Sequence, residues 1–249
     1  LVRAERTLHT GPAAFLKSLV LAAIVIQSTA SLCEASIIIN GDFGTGDLTG
    51  WTSFVTSNGD LGSAFGLPDV TLFDVAGNGI SDNAAQFQVG EAVYISAQGH
   101  TYEGGGIQQQ FTVAAGLYTF SADIAAQNIS SGANDTAGVF SLMVDGITRV
   151  SQDFKALLGG GNINPGQIER STLFASVELS AGVHELEFEI TRPWLNGPTY
   201  GNTPLEYLND IMVVPEPSVA ALATLGFVGL LALSRRVSKA MGPRRPFHD

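Results

Sequence analysis

The chain has 249 residues, a single cysteine and a formal net charge of −11. Charged residues make up 14% against 45% hydrophobic ones, with 29 glycines, a mixture too apolar for a disordered chain and suited to short strands joined by glycine turns. Most basic residues sit in the two ends, so Arg149, Lys155, Arg170 and Arg192 are the only cations between Ser36 and Val214, against nineteen carboxylates. So acidic a middle repels phosphate backbones and excludes nucleic-acid binding. The lone Cys33 excludes a disulfide framework and a cysteine zinc site.

At the N-terminal end, Lys17 precedes an apolar core, Leu19 to Ile26, of secretory-signal length and too short to span a bilayer alone. Small residues offer cleavage after Ala30 or Ala35. We place it after Ala35, because Ser36-Ile37-Ile38-Ile39-Asn40 opens the first β-like run. Residues 1–35 are thus read as an extension and signal peptide passed to the Sec export machinery, and 36–214 as one β domain. Cys33 follows Leu32, where a lipid-attachment signal has a small residue, so it is not read as an acylation site.

From Ser36 onward the dominant signal is period-two alternation between turn residues. Ile37 to Ile39 runs into Asn40-Gly41-Asp42-Phe43, then Gly44-Thr45-Gly46-Asp47 and Leu48-Thr49-Gly50-Trp51, which predicts a strand, a tight excursion and a second strand with Trp51 in the core. In Phe111 to Ala126, Gly116 marks a turn, after which Tyr118, Phe120, Ala122 and Ile124 point one way and Thr119, Ser121 and Asp123 the other. In Val177 to Arg192, Gly182 plays the same part: His184, Leu186, Phe188 and Ile190 line one face, and Glu185, Glu187 and Glu189 the other. The two units predict similar hairpins placed in two sheets. Between them Val139 to Val144, Asp145-Gly146 and Ile147 to Val150 read as a hairpin with a type I′ turn. Lys155 to Leu158 reads as one helical turn, and Tyr207 to Val213 as the last strand. Long loops are expected at Asn58 to Pro68, Gly99 to Gly105, Gly159 to Gly166 and Pro193 to Pro204.

The folded part should stop at about Val214, because Pro215 and Pro217 cannot donate backbone hydrogen bonds and bias their predecessors toward extended backbone. An uncharged run, Ser218 to Leu233, follows, slightly shorter than the roughly 17–25 residues of a comfortable span. Arg235, Arg236 and Lys239 close it, and a basic cluster at one end of an apolar run stays on the cytoplasmic side. The tripeptide Pro215-Glu216-Pro217, the apolar helix and the basic cluster together resemble the PEP-CTERM sorting signal of Gram-negative and related bacteria. That resemblance implies an exosortase partner at the membrane, removal of the helix, and a place on the cell surface or in the matrix beside extracellular polysaccharide. A plain uncut anchor is the alternative.

The opening Asn40-Gly41-Asp42-Phe43 with Gly50-Trp51 resembles the start of β-sandwich domains in such proteins, which look like carbohydrate-binding modules with a galactose-binding-like jelly roll. Gly44 departs from the pattern, where a Glu is expected. Tyr207 to Val213 is similar to the strand that closes them. The expected fold is an all-β antiparallel β-sandwich (jelly roll), flanked by an N-terminal signal helix and a C-terminal transmembrane helix, the latter within a sorting signal over 215–249. The resemblance implies a structural Ca²⁺ where first and last strands meet, with Asp42 and Asp210 as ligands and Asn40 and Asn209 beside them; ordinary turn-capping by these residues is the alternative.

No nucleophile elbow, phosphate loop or His-Glu-x-x-His is present, and the middle holds only His100 and His184. His184 is expected as a hydrogen-bonded core or rim residue. His100 falls in a loop, either simply solvated or contacting a ligand. Sugar binding uses aromatic rings against pyranose faces, and Trp194, Tyr200 and Tyr102 lie in loop-like sequence. Trp194, between Pro193 and Leu195-Asn196-Gly197-Pro198, is the first choice, as binding platform or as buried loop anchor. No catalytic residue is assigned. The reading is a non-catalytic, exported surface protein with a carbohydrate-binding face; a glycan hydrolase or lyase and a purely structural matrix component are the competitors.

Overall fold

The computed structural model describes residues 37–130, 135–158, 166–196 and 203–216, all within one compact unit that begins at Ile37. The residues read as a signal peptide, Pro217, the apolar run with Arg235 and Arg236, and Tyr200 lie outside them. Among the described residues no helix is long and apolar enough to cross a membrane.

Among the described residues twelve strands form, in chain order: β1 (Thr52–Val55), β2 (Gly59–Asp60), β3 (Asp69–Phe73), β4 (Asp82–Phe87), β5 (Gly90–Glu91), β6 (Glu103–Val113), β7 (Gly116–Gln127), β8 (Gly138–Val144), β9 (Ile147–Phe154), β10 (Ile168–Leu179), β11 (Gly182–Arg192) and β12 (Leu205–Pro215). They build two five-stranded sheets, β1-β6-β11-β8-β9 and β10-β7-β12-β4-β3, and a small β2-β5 ladder. Every strand pairing is antiparallel. The expected all-β sandwich of antiparallel sheets is what forms.

Alternation decides which side chains face inward. Tyr118, Phe120, Ala122 and Ile124 are buried on β7, and His184, Leu186, Phe188 and Ile190 on β11, while Glu185, Glu187 and Glu189 stand half-exposed on the outer face. Trp51 is in the core, its ring 6.2 Å from both Phe43 and Phe188. The Asp145-Gly146 turn forms as read, with φ of 55° and 69°, both positive as a type I′ turn needs.

The two strand-turn-strand units are not hairpins. β6 pairs with β11 in one sheet, and β7 with β10 in the other. Ala114-Ala115 and Ser180-Ala181 are therefore corners that carry the chain between sheets. Phe111 and Phe120 meet across the interior, edge to face at 5.9 Å, and the Tyr118 hydroxyl donates to the Ala114 carbonyl at 3.0 Å. Inward faces are apolar in a hairpin and in a corner alike, so alternation cannot tell the two apart.

Three other expectations are corrected. Ile37 to Ile39 forms turns instead of a strand. Asn40 and Phe43 take positive φ (54° and 50°), and the Asn40 amide spans its own loop, donating to the Asp47 and Thr49 carbonyls at 2.9 and 3.0 Å. Lys155 to Leu158 is not helical; Leu157 is fully buried, and Leu158 exchanges hydrogen bonds with Gln167. The fold also runs past Val214. Pro215 pairs with Tyr118 on β7, and the Glu216 N–H donates to the Leu117 carbonyl at 2.9 Å. β4 pairs only with Glu206 to Leu208, so the far end of β12 is an edge, where a proline's missing N–H costs no ladder bond.

Candidate functional site

One end of the sandwich gathers exposed rings on a rigid polar frame. β5 lies against the segment after β11: the Glu91 N–H donates to the Trp194 carbonyl, and the Asn196 N–H to the Glu91 carbonyl, both at 2.9 Å. Gly90 permits this approach, since a Cβ there would run into the Trp194 carbonyl oxygen. The next residues are clasped by Asn58, whose amide donates to the Val93 carbonyl (2.7 Å) and accepts from the Val93 N–H (3.1 Å). A tight turn over Ile95 to Gly99 then brings the chain back, so that His100 lies beside Tyr94.

The result is a row of three rings. The centroids of Tyr94 and His100 are 4.6 Å apart at 41°, and those of His100 and Trp194 are 4.6 Å apart at 47°. Tyr94 is 46% exposed, Trp194 39% and the His100 side chain 31%. The middle ring is fixed from below by Glu91, 1% exposed. One Glu91 oxygen meets His100 Nδ1 at 2.8 Å, and the other accepts from the Thr101 N–H and, at 3.2 Å, from its hydroxyl. Tyr102 is 56% exposed and joins none of these ring contacts. Glu103, next to it, binds the Thr56 hydroxyl and, at 3.2 Å, the Asn58 N–H.

Two buried ionisable side chains adjoin the two strips of chain that carry the rings. Glu206 is fully buried and accepts from the Val89 N–H at 3.1 Å, just before β5; Arg192, 3% exposed, ends β11 just before Trp194. Burial pushes the Glu206 carboxyl well above its usual value against the pull of Arg192, and pushes Arg192 down against the pull of Glu206.

Of the residues chosen from sequence for sugar contact, Trp194 is thus in the row, Tyr102 is near in sequence but outside it, and Tyr200 is not among the described residues. Tyr94 and Glu91 were missed. Neither carries a sequence signal; only the tight turn and the parallel bridge of Glu91 to Leu195 bring them there. His100, left between solvated loop and ligand contact, is the centre of the row. His184 is the rim residue expected, with Nδ1 on Asp145 at 2.7 Å and Nε2 on the Ser180 carbonyl at 3.0 Å.

The opening and closing segments do meet, midway along β12. The Ile211 N–H donates to the Gly41 carbonyl at 2.9 Å, beside the bulge where Asp210 has φ of 49°. Burial and the charges of Asp123, Asp82 and Asp42 raise the Asp210 pKa, and Asn209 is buried with its Oδ1 unpartnered. Asn40 is turned into its own loop, its Oδ1 accepting from the Thr45 N–H at 3.2 Å. Among the described residues no three acidic or imidazole side chains stand close enough to hold a metal ion as they are.

No family model and no curated protein matches the sequence. Among solved structures, the chain is similar to TmCBM61 in complex with β-1,4-galactotriose (12% identity, 74% of this chain and 100% of that one, TM-score 0.44). It is also similar to the CBM22-1 xylan-binding domain of Paenibacillus barcinonensis Xyn10C (12%, 74% and 93%, 0.36) and to the carbohydrate-binding module CBM36 in complex with calcium and xylotriose (14%, 66% and 99%, 0.29). These are loose likenesses of backbone course, too distant to carry function.

Proposed function

We propose that this protein is a non-catalytic, carbohydrate-binding β-sandwich that is exported by the Sec machinery, sorted by an exosortase through Pro215-Glu216-Pro217 and the basic Arg235-Arg236 end, and displayed at the cell surface beside polysaccharide. The single observation that carries the binding part is the row Tyr94-His100-Trp194. Three half-exposed rings are held in place by backbone bonds and a buried carboxylate, which removes most of the ordering cost of binding. Rings so placed offer apolar faces to the C–H side of a sugar, and the polar groups around them meet its hydroxyls. The sorting part rests on the resemblance of the C-terminal residues.

The test is titration of the full chain with a panel of neutral trisaccharides: cellotriose, xylotriose and β-1,4-galactotriose. Binding to at least one is expected, weakened about ten-fold or more by Trp194→Ala, in keeping with loss of a stacked aromatic at a binding centre. Failure of every member to bind, or binding indifferent to Trp194, removes this reading. A hydrolase would need two carboxyls facing across a cleft roughly 5–10 Å apart. Glu189, whose pKa burial and then the Glu187 and Glu103 charges raise, is the carboxyl best suited to an acid's part, but it lies in a row of like charges on a sheet face. Release of reducing ends from the same trisaccharides would favour that reading instead.

A second reading, structural Ca²⁺ at Asp42 and Asp210, is favoured by the convergence of Asp82 and Asp123 on Asp210 and by the unpartnered Asn209 Oδ1. Hard cations take oxygen ligands of this kind, and rotation of the exposed carboxylates would complete the set.

A further inference from the structure

Within the sugar-binding reading, on which this inference rests, the position of one proton decides which sugars fit. We propose that Glu91 fixes the tautomer of His100, so that His100 Nε2, between the Tyr94 and Trp194 rings, accepts a hydrogen bond from a hydroxyl of a neutral sugar unit and turns anionic sugars away.

A carboxylate only accepts hydrogen bonds. Glu91 faces three groups. Thr101 gives a backbone N–H and a hydroxyl to one oxygen, and His100 Nδ1 stands 2.8 Å from the other. The neutral imidazole must therefore carry its proton on Nδ1, where it is donated to Glu91. Nε2 is left with a lone pair and, among the described residues, no hydrogen-bond partner, on a side chain that is 31% exposed. The His100 ring lies in the middle of the row, its centroid 4.6 Å from those of Tyr94 and Trp194. The tilts of 41° and 47° mean that the three rings are not coplanar, so a sugar unit resting against one of them can direct a hydroxyl at Nε2.

The surrounding charge points to the same class of ligand. An anionic group would meet an acceptor lone pair with the Glu91 and Glu103 carboxylates close by. Of the described cations nearest in sequence or contact, Arg192 is buried, and Lys155, which is near Tyr102, is already paired with Asp153. A sugar hydroxyl instead donates to Nε2 and finds further acceptors around it.

The deciding variant is Glu91→Gln, which keeps the shape. Because the Thr101 N–H must keep an acceptor, the amide oxygen takes that place and its NH₂ group faces Nδ1. The imidazole proton then moves to Nε2, and the acceptor becomes a donor. In ¹⁵N-histidine-labelled protein, with the His100 signals assigned by their loss in His100→Phe, the wild-type ring is expected as the Nδ1–H tautomer and the Glu91→Gln ring as Nε2–H.

Affinity for the neutral trisaccharide that binds is expected to fall about ten-fold or more in Glu91→Gln at unchanged melting temperature, and similarly in His100→Phe, which keeps a ring in place. Trigalacturonate should not bind the wild type. The proposal is overturned by an Nε2–H tautomer in the wild type, by Trp194-dependent binding that ignores both variants, or by trigalacturonate binding as tightly as the neutral probes. If Glu91→Gln fails to fold, the wild-type tautomer and His100→Phe affinity decide alone. Absence of any Trp194-dependent binding removes the parent reading as well, and the tautomer readings show whether the Glu91–His100 arrangement itself holds.

Discussion

His184 shows how one side chain can tie two separate turns together. Its ring joins Asp145, in the β8–β9 turn, to Ser180, at the corner before β11. The hydrogen bond to Asp145, then that to Ser180, raises the His184 pKa against its burial. For Asp145, burial pulls upward, but the bonds from His184 and the Glu185 N–H, with the His184 and Arg149 charges, bring it below its ordinary value. A raised histidine pKa contributes stability that is complete below the unfolded value, about 6.5, and is lost as pH rises through the folded one. The depressed Asp145 contributes above its unfolded value, about 3.9, and loses this as pH falls. Melting temperature should therefore be highest between these limits and decline from about pH 6.5 upward, and His184→Asn should flatten that decline. A wild-type profile that is level from pH 6 to 9 counts against the pair. The histidine was legible as a rim residue because it falls on the apolar face of an alternating strand. Its partner was not, since no pattern links residues 39 apart.

At the scale of elements, β12 is where reading and structure part most instructively. Two prolines two apart read as the end of the fold, yet β12 incorporates the first. The Glu216 carboxylate then accepts from the hydroxyls of Thr119 (2.7 Å) and Ser176 (3.3 Å) on the neighbouring strands β7 and β10. These contacts are exposed, so their net worth is small, about 0.5–1.5 kcal/mol each. Their removal should nonetheless be visible locally. Thr119→Val with Ser176→Ala is expected to speed amide exchange at Glu216 by about ten-fold while leaving β7 amides protected; equal exchange in both proteins would mean that the clamp holds nothing. The corners teach the same lesson. Tyr118, Phe120 and Ile124 could be assigned to a buried face from spacing alone, whereas pairing of β7 with β10 instead of β6 depends on strands some fifty residues apart.

Over the whole molecule, an acidic body with few cations must keep its carboxylates apart, paired or hydrogen-bonded. Glu185, Glu187 and Glu189 are spread along an outer face, and Glu91 and Glu103 are hydrogen-bonded at the ring site. Around Asp210 three other carboxylates, Asp123, Asp82 and Asp42, add their charges without cationic relief. If calcium binds there it joins the opening loop to the closing strand and acts on global stability. At a hundred times its dissociation constant it should add about 2.7 kcal/mol, seen as a melting temperature several degrees higher in calcium than in chelator. Asp210→Asn should abolish the difference. A melting temperature indifferent to calcium in the wild type sinks the second reading.

The sequence by itself determined the periodic and compositional features: an all-β body, which faces are buried, the Asp145-Gly146 turn and Trp51 in the core. Each depends on neighbours along the chain. Only the tertiary structure decided that the Gly116 and Gly182 units are corners, that Ile37 to Ile39 curls, and that Tyr94, His100, Trp194 and Glu91 stand together. These outcomes are set by contacts between distant segments, such as the Glu91 N–H on the Trp194 carbonyl, and backbone hydrogen bonds of that kind leave no mark on residue type.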